Sequence, residues 1–584
     1  MNTAEKSDLQ EALGLCKGAF LSAAGFSMIV NFLMLVPVIY MLQLYDRVVP
    51  TQNESTLLML TLIMIALFLT LGALEAIRSQ VLVRVSTRLE TLLNKRVFDI
   101  TFKRSLYSGG QNANSQPLDD LTALRQFMTG NGLFAFFDAP WLPFYIAVMF
   151  LFHPWYGIAA TFTAIVLVII AIINEKSTKN TLDEANGMAM SGRALVNKNL
   201  RNAEVIESMG MLNNIRQRWL SNSYDVLSLQ SVASSRAGLI ASISKVVRLC
   251  SQSLILGLGA YLVIQQEITP GLMIAGSILL GRALAPIDLM IGTWKGFIAA
   301  RSQYSRLNQL LLSMPDDDEK MPLPAPEGNI SVENAVIIPP GSKTPVIKGV
   351  SCQIEAGSSI AIIGPSGAGK STFVRALLGI WPTANGTIRL DGADIFTWDR
   401  EALGEHIGYL PQDIELFEGS ISDNIARFNE VDPDKVVAAA KMADVHEMIL
   451  RLSDGYDTII GAVGGELSGG QRQRIGLARA LYGSPKIIVL DEPNSNLDED
   501  GEKALGQALL RLKELKSTVI VITHRGNILA NVDKLLILNE GAITAYGDKN
   551  EVLAEIQKNA APVATAQANK TPPRSSAPVT VPVV

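Results

Sequence analysis

Apolar residues are distributed unevenly along the chain. The first half contains six apolar runs, each close to the roughly 20 residues that a helix needs to cross a bilayer. A set of helices buried in a soluble core would carry charges every few positions, and these runs mostly lack them. The pattern therefore predicts six membrane-spanning helices. They are placed near Ala19–Leu42, Thr56–Leu74, Leu133–Phe152, Tyr156–Ile173, Val246–Ile264 and Leu272–Met290.

The hydrophobic pattern changes after the sixth run. Ser313 to Gly328 is rich in Asp, Glu, Pro and Lys, which is typical of a linker. From Asn329 to about Ile556, strand and helix patterns alternate, as in an α/β domain. The end of the chain is rich in Ala, Pro, Thr, Ser and Val without periodicity, which predicts disorder. The predicted parts are a transmembrane domain (1–312), a linker (313–328), an α/β domain (329–559) and a disordered tail (560–584).

Two polar segments between the runs lack turn signals over much of their length. Ala76 to Leu106 and Ser191 to Val232 are predicted to be helix continuing out of the membrane. About 30 residues at 1.5 Å each would reach some 45 Å beyond the bilayer. Such extensions could contact a cytoplasmic domain and transmit a conformational change, and a solvated stalk is the alternative.

Basic residues indicate the orientation of the spans. The loops after the second and fourth runs are rich in Lys and Arg, whereas the other connections are short and nearly uncharged. The bias predicts that both basic loops and both termini lie in the cytoplasm. Lys245 and Arg248 begin the fifth run, where snorkelling and substrate contact are both possible roles. Asp138 is expected to cap the third span, with Pro140 in its first turn.

Composition agrees with a membrane protein of more than one domain. The 584 residues exceed one hydrophobic core, and only 18% are charged. The mean hydropathy of +0.26 is high for a soluble protein. The net charge of -5 gives no reason to expect a nucleic-acid partner. Acidic residues before the first run, and no cleavage site after it, predict a retained anchor rather than a signal peptide.

The α/β domain contains a phosphate-binding pattern, G-x-x-x-x-G-K-[ST]. Glycines let the backbone fold around an anion with its N–H groups pointing inward. Lys370 is expected to reach the β- and γ-phosphates, and the Ser371 hydroxyl to ligate Mg²⁺. A strand is predicted over Ser359–Ile363 and a helix over residues 372–378. The predicted loop residues are Gly364, Pro365, Ser366, Gly367, Ala368, Gly369, Lys370, Ser371 and Thr372.

An apolar strand ends in two acids, Asp491 and Glu492. Asp491 can hold magnesium through water opposite the phosphate loop. Glu492 is placed to polarise an attacking water as a general base.

A further loop reads Leu467-Ser468-Gly469-Gly470-Gln471 and precedes a predicted helix over residues 472–481. Its hydroxyl, its glycine N–H groups and the helix N-terminus suit another γ-phosphate. Taken alone, the loop also fits an ordinary helix start.

These motifs together resemble the ATPase of ABC transporters. The resemblance rests on their order and on three further residues: Gln412 in L-P-Q, Asp498 in S-N-L-D and His524 in I-T-H-R. It covers nearly the whole chain and implies a half-transporter of the exporter type. The implied fold is a six-helix all-α transmembrane exporter domain followed by an α/β P-loop ABC ATPase domain.

Several segments are similar to the bacterial type I secretion exporters of the alkaline-protease and S-layer secretion group. They are Tyr45-Asp46-Arg47-Val48, Phe137-Asp138-Ala139-Pro140-Trp141, residues 281–287 (G-R-A-L-A-P-I) and residues 491–498 (D-E-P-N-S-N-L-D).

The resemblance implies a mechanism. ATP is bound between two ATPase domains, with the Lys370 loop of one facing the Ser468–Gln471 loop of the other, so the unit is a homodimer. Gln412 is expected to sense Mg²⁺ and the γ-phosphate, His524 to contact the γ-phosphate with Glu492, and Asp498 to act across the dimer. Ser371, Gln412 and Asp491 form the expected metal set.

The chain departs from the family pattern in two ways. The stretch Val336-Ile337-Ile338-Pro339-Pro340 has no aromatic residue to stack on adenine, so we expect apolar contacts and looser base selectivity. Only a short segment precedes the first run, so we expect no peptidase domain and no leader cleavage by this chain.

The resulting hypothesis is an inner-membrane, ATP-driven exporter of unfolded protein. The resemblance implies a periplasmic membrane-fusion adaptor, an outer-membrane tunnel and a glycine-rich, calcium-binding cargo such as a protease, lipase or S-layer protein, with an uncleaved C-terminal signal. An exporter of lipids or small hydrophobic molecules is the nearest alternative. A membrane-anchored ATPase that regulates a partner and transports nothing is the third alternative. The intact Glu492, Gly469 and Gly470 disfavour a degenerate regulatory ATPase, whereas a signalling role stays open.

Overall fold

The computed structural model describes residues 7–110, 114–314, 323–461, 467–495, 497 and 499–555. The predicted tail, Asp498 and residues 315–322 of the predicted linker lie outside this part. The chain divides into two compact units, one of Met1–Lys103 and Ala113–Pro315 and one of Arg104–Asn112 and Asp316–Val584.

The first unit is helical. A π-helical turn (Leu44–Val48) and a 3₁₀ turn (Ala139–Trp141) interrupt its helices. The helices are α1 (Asp8–Leu15), α2 (Lys17–Leu33), α3 (Val36–Gln43), α4 (Val49–Thr51), α5 (Glu54–Tyr107), α6 (Gln116–Thr129), α7 (Asn131–Asp138), α8 (Leu142–Phe152), α9 (Pro154–Leu200), α10 (Ala203–Ser208), α11 (Leu212–Ile264) and α12 (Pro270–Ser313).

Six helical segments of the described chain are long and apolar enough to cross a membrane, as the hydrophobic pattern predicts. They are Lys17–Thr51, Glu54–Tyr107, Gly132–Phe152, Pro154–Leu200, Leu212–Ile264 and Pro270–Ser313. Their surroundings differ, because α5 exposes Leu58, Leu62 and Leu69, whereas half of the apolar window of α12 is buried. Since large apolar side chains are stable in lipid, this face of α5 is suited to contact the bilayer.

The prediction that Asp138 caps a helix is wrong. Asp138 is the last residue of α7 and makes no capping bond; its Oδ1 accepts from Arg78 Nη1 at 3.0 Å and from Asn31 Nδ2 at 3.0 Å. Arg78 is buried and also donates to Ser27 Oγ at 2.9 Å. The physical reason is that a buried cation needs a counter-ion more than the turn needs a cap. The network joins α2, α5 and α7.

Arg248 likewise has a partner. Its guanidinium forms an ion pair with Asp288 of α12, which also accepts from Ser244 Oγ at 3.2 Å. The pair ties α11 to α12, so snorkelling does not account for Arg248.

The second predicted extension is not one continuous helix. The first is continuous within α5, but the chain between α9 and α11 turns twice around the short helix α10. Gly210 has φ +65°, a left-handed conformation that glycine adopts without steric cost and that ends a helix. The glycine itself is the signal in the sequence that could have indicated the break.

The second unit contains twelve strands in the described residues, arranged in three sheets. A six-stranded sheet has the order β12-β11-β3-β10-β9-β6, parallel except for β12, a four-stranded antiparallel sheet has the order β2-β1-β4-β5, and β7 pairs with β8. The strands are β1 (Ile330–Ile337), β2 (Ile347–Ile354), β3 (Ser359–Ile363), β4 (Asn385–Leu390), β5 (Ala393–Asp394), β6 (Ile407–Leu410), β7 (Gly419–Ser420), β8 (Ile459–Ile460), β9 (Ile487–Asp491), β10 (Thr518–Ile522), β11 (Lys534–Asn539) and β12 (Ala542–Asp548).

Two apolar cores lie on opposite faces of the six-stranded sheet. Side chains of a strand alternate between faces, and β9 places Ile487 and Val489 in one core and Ile488 and Leu490 in the other. The helices of this unit are α13 (Lys370–Leu377), α14 (Arg400–His406), α15 (Ile421–Ile425), α16 (Pro433–Met442), α17 (His446–Leu450), α18 (Gly469–Leu481), α19 (Glu499–Glu514) and α20 (Gly526–Leu529).

Candidate functional site

Four neighbouring parallel strands end at the same edge of the sheet. The phosphate loop follows β3, His524 follows β10, Asp491 and Glu492 end β9, and Gln412 follows β6. The strands are in register, since Ile522 pairs with Asp491 and Leu410 with Leu490. Ligands of open α/β sheets bind outside such carboxyl ends. We call these four loop regions the nucleotide rim.

The phosphate loop is closely packed. A Cβ on Gly364 would lie 2.0 Å from the carbonyl oxygen of Leu538, so no larger residue fits there. Gly369 has φ +98° and precedes the first turn of α13. Lys370 is buried and donates from Nζ to the carbonyls of Gly364 at 2.7 Å and Pro365 at 3.1 Å. The ammonium therefore lies inside the loop, where phosphate oxygens could exchange for these carbonyls.

The two acids of β9 have different surroundings. Asp491 is buried, and its Oδ1 has no hydrogen-bond partner in the described structure. Burial raises the pKa of the Asp491 carboxyl; a hydrogen bond with Ser371 opposes the rise, and the charge of Glu492 adds to it. A carboxylate that is buried with one free oxygen beside a hydroxyl suits a divalent cation.

Glu492 lies at the centre of the rim. Its Oε2 accepts from Gln412 Nε2 at 3.1 Å, and its Oε1 is 3.9 Å from His524 Nε2. The backbone of Glu492 has φ +48°, a conformation that non-glycine residues rarely adopt and that often marks functional sites. The structure thus brings Gln412, Glu492 and His524 together, as the motifs predict.

Comparison with known proteins places the chain in a family. The family model "ABC transporter" matches residues 347–495, and "ABC transporter transmembrane region" matches residues 20–284. The chain is 42% identical over 551 residues to the type I secretion system ATP-binding protein PrsD of Rhizobium meliloti (strain 1021), covering 94% of this chain and 95% of that protein. This chain belongs to the type I secretion ABC transporters.

Other similarities agree with this family. The transporter is 28% identical over 549 residues to the leukotoxin translocation ATP-binding protein LktB of Mannheimia haemolytica, covering 91% of this chain and 76% of that protein. Its fold matches the structure of a bacterial Atm1-family ABC exporter with ATP bound, with a TM-score of 0.81, 22% identity and coverage of 96% and 100%. The predicted family, the two-part fold and the ATP-hydrolysing activity are confirmed.

The Ser468–Gln471 loop of the transporter lies at the start of a separate element, α18. Ser468 is the N-cap of α18, which packs on α15 and α16. Ser468 Oγ accepts from the Gln471 backbone N–H at 3.3 Å, and Gln471 Oε1 accepts from the Ser468 N–H at 2.8 Å. Among the described residues, no hydrogen bond links Ser468, Gly469, Gly470 or Gln471 to the rim of the same chain. The loop is therefore preformed at a helix N-terminus, a position suited to an anion.

Sequence reasoning missed Arg427, which anchors the other end of α18. Its guanidinium donates to the carbonyls of Gly404 at 2.7 Å, Arg479 at 3.1 Å, Ala480 at 3.2 Å and Tyr482 at 3.3 Å. A cation at a helix C-terminus is stabilised by the helix dipole. No local pattern marks this residue, because all four acceptors are backbone atoms.

Gln473 was also missed. It is a polar side chain on the buried face of α18, and its Nε2 donates to the carbonyl of Pro493, directly after Glu492. A glutamine at a position where the helical period places core residues is the signal that could have singled it out.

Proposed function

We propose that this transporter is the ATP-driven translocase of a type I secretion system and moves unfolded protein across the inner membrane as a homodimer. The observation that supports it most is the 42% identity with PrsD along nearly the whole chain, together with an intact nucleotide rim. Both the membrane helices and the ATPase residues that such a cycle needs are in this chain.

The rim supports a mechanism for hydrolysis. The phosphate loop N–H groups and Lys370 hold the β- and γ-phosphates of ATP. Glu492 accepts a proton from the attacking water as the water oxygen bonds to the γ-phosphorus and the bond to the β-phosphate oxygen breaks. His524, 3.9 Å from Glu492, contacts the transferred phosphoryl group. The products are ADP and phosphate.

The residues present fit a magnesium ion. The free Oδ1 of Asp491, the adjacent Ser371 hydroxyl and the Gln412 side chain are oxygen donors of the kind that Mg²⁺ prefers. Bound there, the ion would neutralise charge on the β- and γ-phosphates. Asp491 and Ser371 would hold the ion beside the phosphate loop.

Two copies are needed for a complete site in this proposal. No described hydrogen bond links the Ser468–Gln471 loop to the rim of its own chain, and in this proposal the loop contacts the ATP bound by a partner copy. A two-fold axis would then form two equivalent sites. Asp498 is proposed to act across the same interface between the two copies.

The orientation and partners belong to the same proposal. Both termini and the two basic loops lie in the cytoplasm, as the Lys/Arg bias predicts. A periplasmic membrane-fusion adaptor and an outer-membrane tunnel complete the path. The cargo is a secreted protein with a C-terminal signal, of the glycine-rich calcium-binding class.

The test is a pull-down with the tagged Glu492→Gln variant from crosslinked cells. This variant is expected to bind ATP but to stall before hydrolysis, so that the closed complex accumulates. Recovery of an adaptor and a glycine-rich secreted protein would support secretion. Recovery of the dimer alone, with ATPase activity of the unmodified transporter stimulated by lipids or drugs, would contradict it and favour a small-molecule exporter.

A further inference from the structure

Gln473 is a buried polar residue on α18, beside the turn that carries Glu492. It is 1% exposed, although the helix turns most of its apolar residues toward the same core. Its side-chain amide donates to the carbonyl of Pro493. A glutamine is retained in such a core at the cost of burying an amide, and that cost is offset only if its hydrogen bonds are made.

The carbonyl that Gln473 holds belongs to the turn that carries Glu492. Glu492 has φ +48°, and such a backbone persists only where its surroundings fix it. The turn is fixed on one side by the Glu492 N–H, which donates to the Ile522 carbonyl at 3.0 Å. Within the turn, the Ser495 N–H donates to the Glu492 carbonyl at 3.2 Å. Gln473 supplies the constraint from the other side.

We propose that Gln473 is a positioning residue for catalysis, holding the strained turn so that Glu492 points at the attacking water. Without the amide, the Pro493 carbonyl is buried without this donor, and the turn relaxes toward an ordinary conformation. A displacement of about 1 Å at a reacting group can lower a rate by about 100-fold. Gln473 does not contact substrate, so the loss appears in turnover and not in ATP binding.

The same contact also connects the two sites of a dimer. Gln473 is five residues after Ser468, the N-cap of α18, so one helix connects the Ser468–Gln471 loop to the turn that carries Glu492. This part rests on the proposed function, in which the N-terminus of α18 faces the partner copy's ATP. Engagement of one ATP by Ser468 is then transmitted along α18 to the Glu492 that hydrolyses the other.

The experiment compares Gln473→Met with the unmodified full-length transporter in nanodiscs. Methionine has similar length and no donor. The expected result is a 10- to 100-fold lower kcat for ATP, with KM and nucleotide affinity within about twofold, and a Hill coefficient reduced toward 1. Gln473→Glu is expected to match Gln473→Met at pH 8 and to regain kcat relative to the unmodified transporter as the pH falls, because a protonated carboxyl donates again.

Ile475→Val is the matched control, since Ile475 lies in the same helix and core and its loss of one methylene destabilises modestly. If Gln473→Met and Ile475→Val lose kcat in the same proportion to their loss of melting temperature, the role of Gln473 is structural and the proposal is overturned. An unchanged kcat in Gln473→Met overturns it as well. A lower kcat with an unchanged Hill coefficient overturns the connection between sites. Failure of the two-copy assembly would be visible in the unmodified transporter as a nanodisc mass that corresponds to one copy of the chain.

Discussion

Gln412 Nε2 and Glu492 Oε2 are joined by a hydrogen bond of 3.1 Å. One oxygen of the proposed general base is thus held by the loop after β6, and the other, Oε1, is directed toward His524 at 3.9 Å. The Glu492 carboxylate is therefore oriented by residues that follow β6 and β10, the two strands on either side of β9.

Gln412→Leu is therefore expected to lower ATP turnover by about 10-fold or more, since a hydrogen bond to a charged group contributes about 1.5–3 kcal/mol. ATP affinity measured without Mg²⁺ should stay within about twofold. Steady-state kinetics and nucleotide titration measure the two effects. Gln353→Leu, at an exposed position on β2, is the control. Weaker ATP binding at unchanged turnover would contradict the orienting role.

Lys370→Ala is expected to weaken ATP binding by at least about 10-fold. The variant loses a charge-assisted contact to phosphate and leaves the Gly364 and Pro365 carbonyls without this donor. Titration with a fluorescent nucleotide analogue measures the affinity. Lys435→Ala removes an exposed ion pair with Asp432 and should change nothing measurable. Equal affinities for Lys370→Ala and the unmodified transporter would refute the assignment.

Asp491→Asn is expected to stabilise the nucleotide-free protein while abolishing magnesium-dependent hydrolysis. Burial raises the folded-state pKa of Asp491 above its unfolded value of about 4, so the folded state binds the proton more tightly. The contribution of this carboxyl to the free energy of unfolding therefore falls as the pH rises through the raised pKa. Asparagine does not titrate, so the free energy of unfolding of the variant lacks this decrease with pH.

Melting temperatures between pH 4 and pH 8 provide the measurement for Asp491→Asn. Each kcal/mol gained at neutral pH should raise the melting temperature of the domain by about 2–4 °C. Asp434→Asn, at an exposed position, should melt as the unmodified protein does. A lower melting temperature for Asp491→Asn at pH 7 would show that the buried charge is compensated.

Asp138→Ala is expected to destabilise the membrane unit by about 3–5 kcal/mol, because it leaves the buried Arg78 cation without its counter-ion. Of its partners among the described residues, Arg78 would keep the Ser27 hydroxyl and the ring of Phe134, which lies 4.4 Å from its guanidinium carbon. The double variant Arg78→Met with Asp138→Leu should be less destabilised than Asp138→Ala. Thermal unfolding in nanodiscs distinguishes them, and equal losses would mean that the ion pair is not the cause.

Local sequence patterns were sufficient to predict the strands and loops of the rim, but they were insufficient to predict the contacts between helices. The strand Ser359–Ile363 and the order of the motifs follow from an apolar run and glycine spacing, and parallel strands bring their carboxyl ends together without further information. Asp138 was assigned to a cap because proline follows it nearby. Its partner Arg78 lies 60 residues earlier, and only packing reveals that pairing.

The side-chain contacts that support the site from the protein interior could not be predicted from local sequence patterns either. Gln473 and Arg427 act on backbone carbonyls, which every residue carries, so no residue pattern identifies their acceptors. The break near Gly210 could have been predicted from the glycine itself, which often ends a helix, but its left-handed backbone is visible only in the structure.

The backbone bond from Glu492 to Ile522 has a mechanical consequence. It joins the base to the strand that carries His524 two residues further on, within a register where Ile522 already pairs with Asp491. The backbones of β9 and β10 are therefore held together where the base and the histidine begin, so these two residues can change their relative position only through the Glu492 turn and their side chains. A signal that reaches Glu492 from α18 must then bend this turn or rotate side chains, because the two strands cannot slide past each other without breaking the ladder between them.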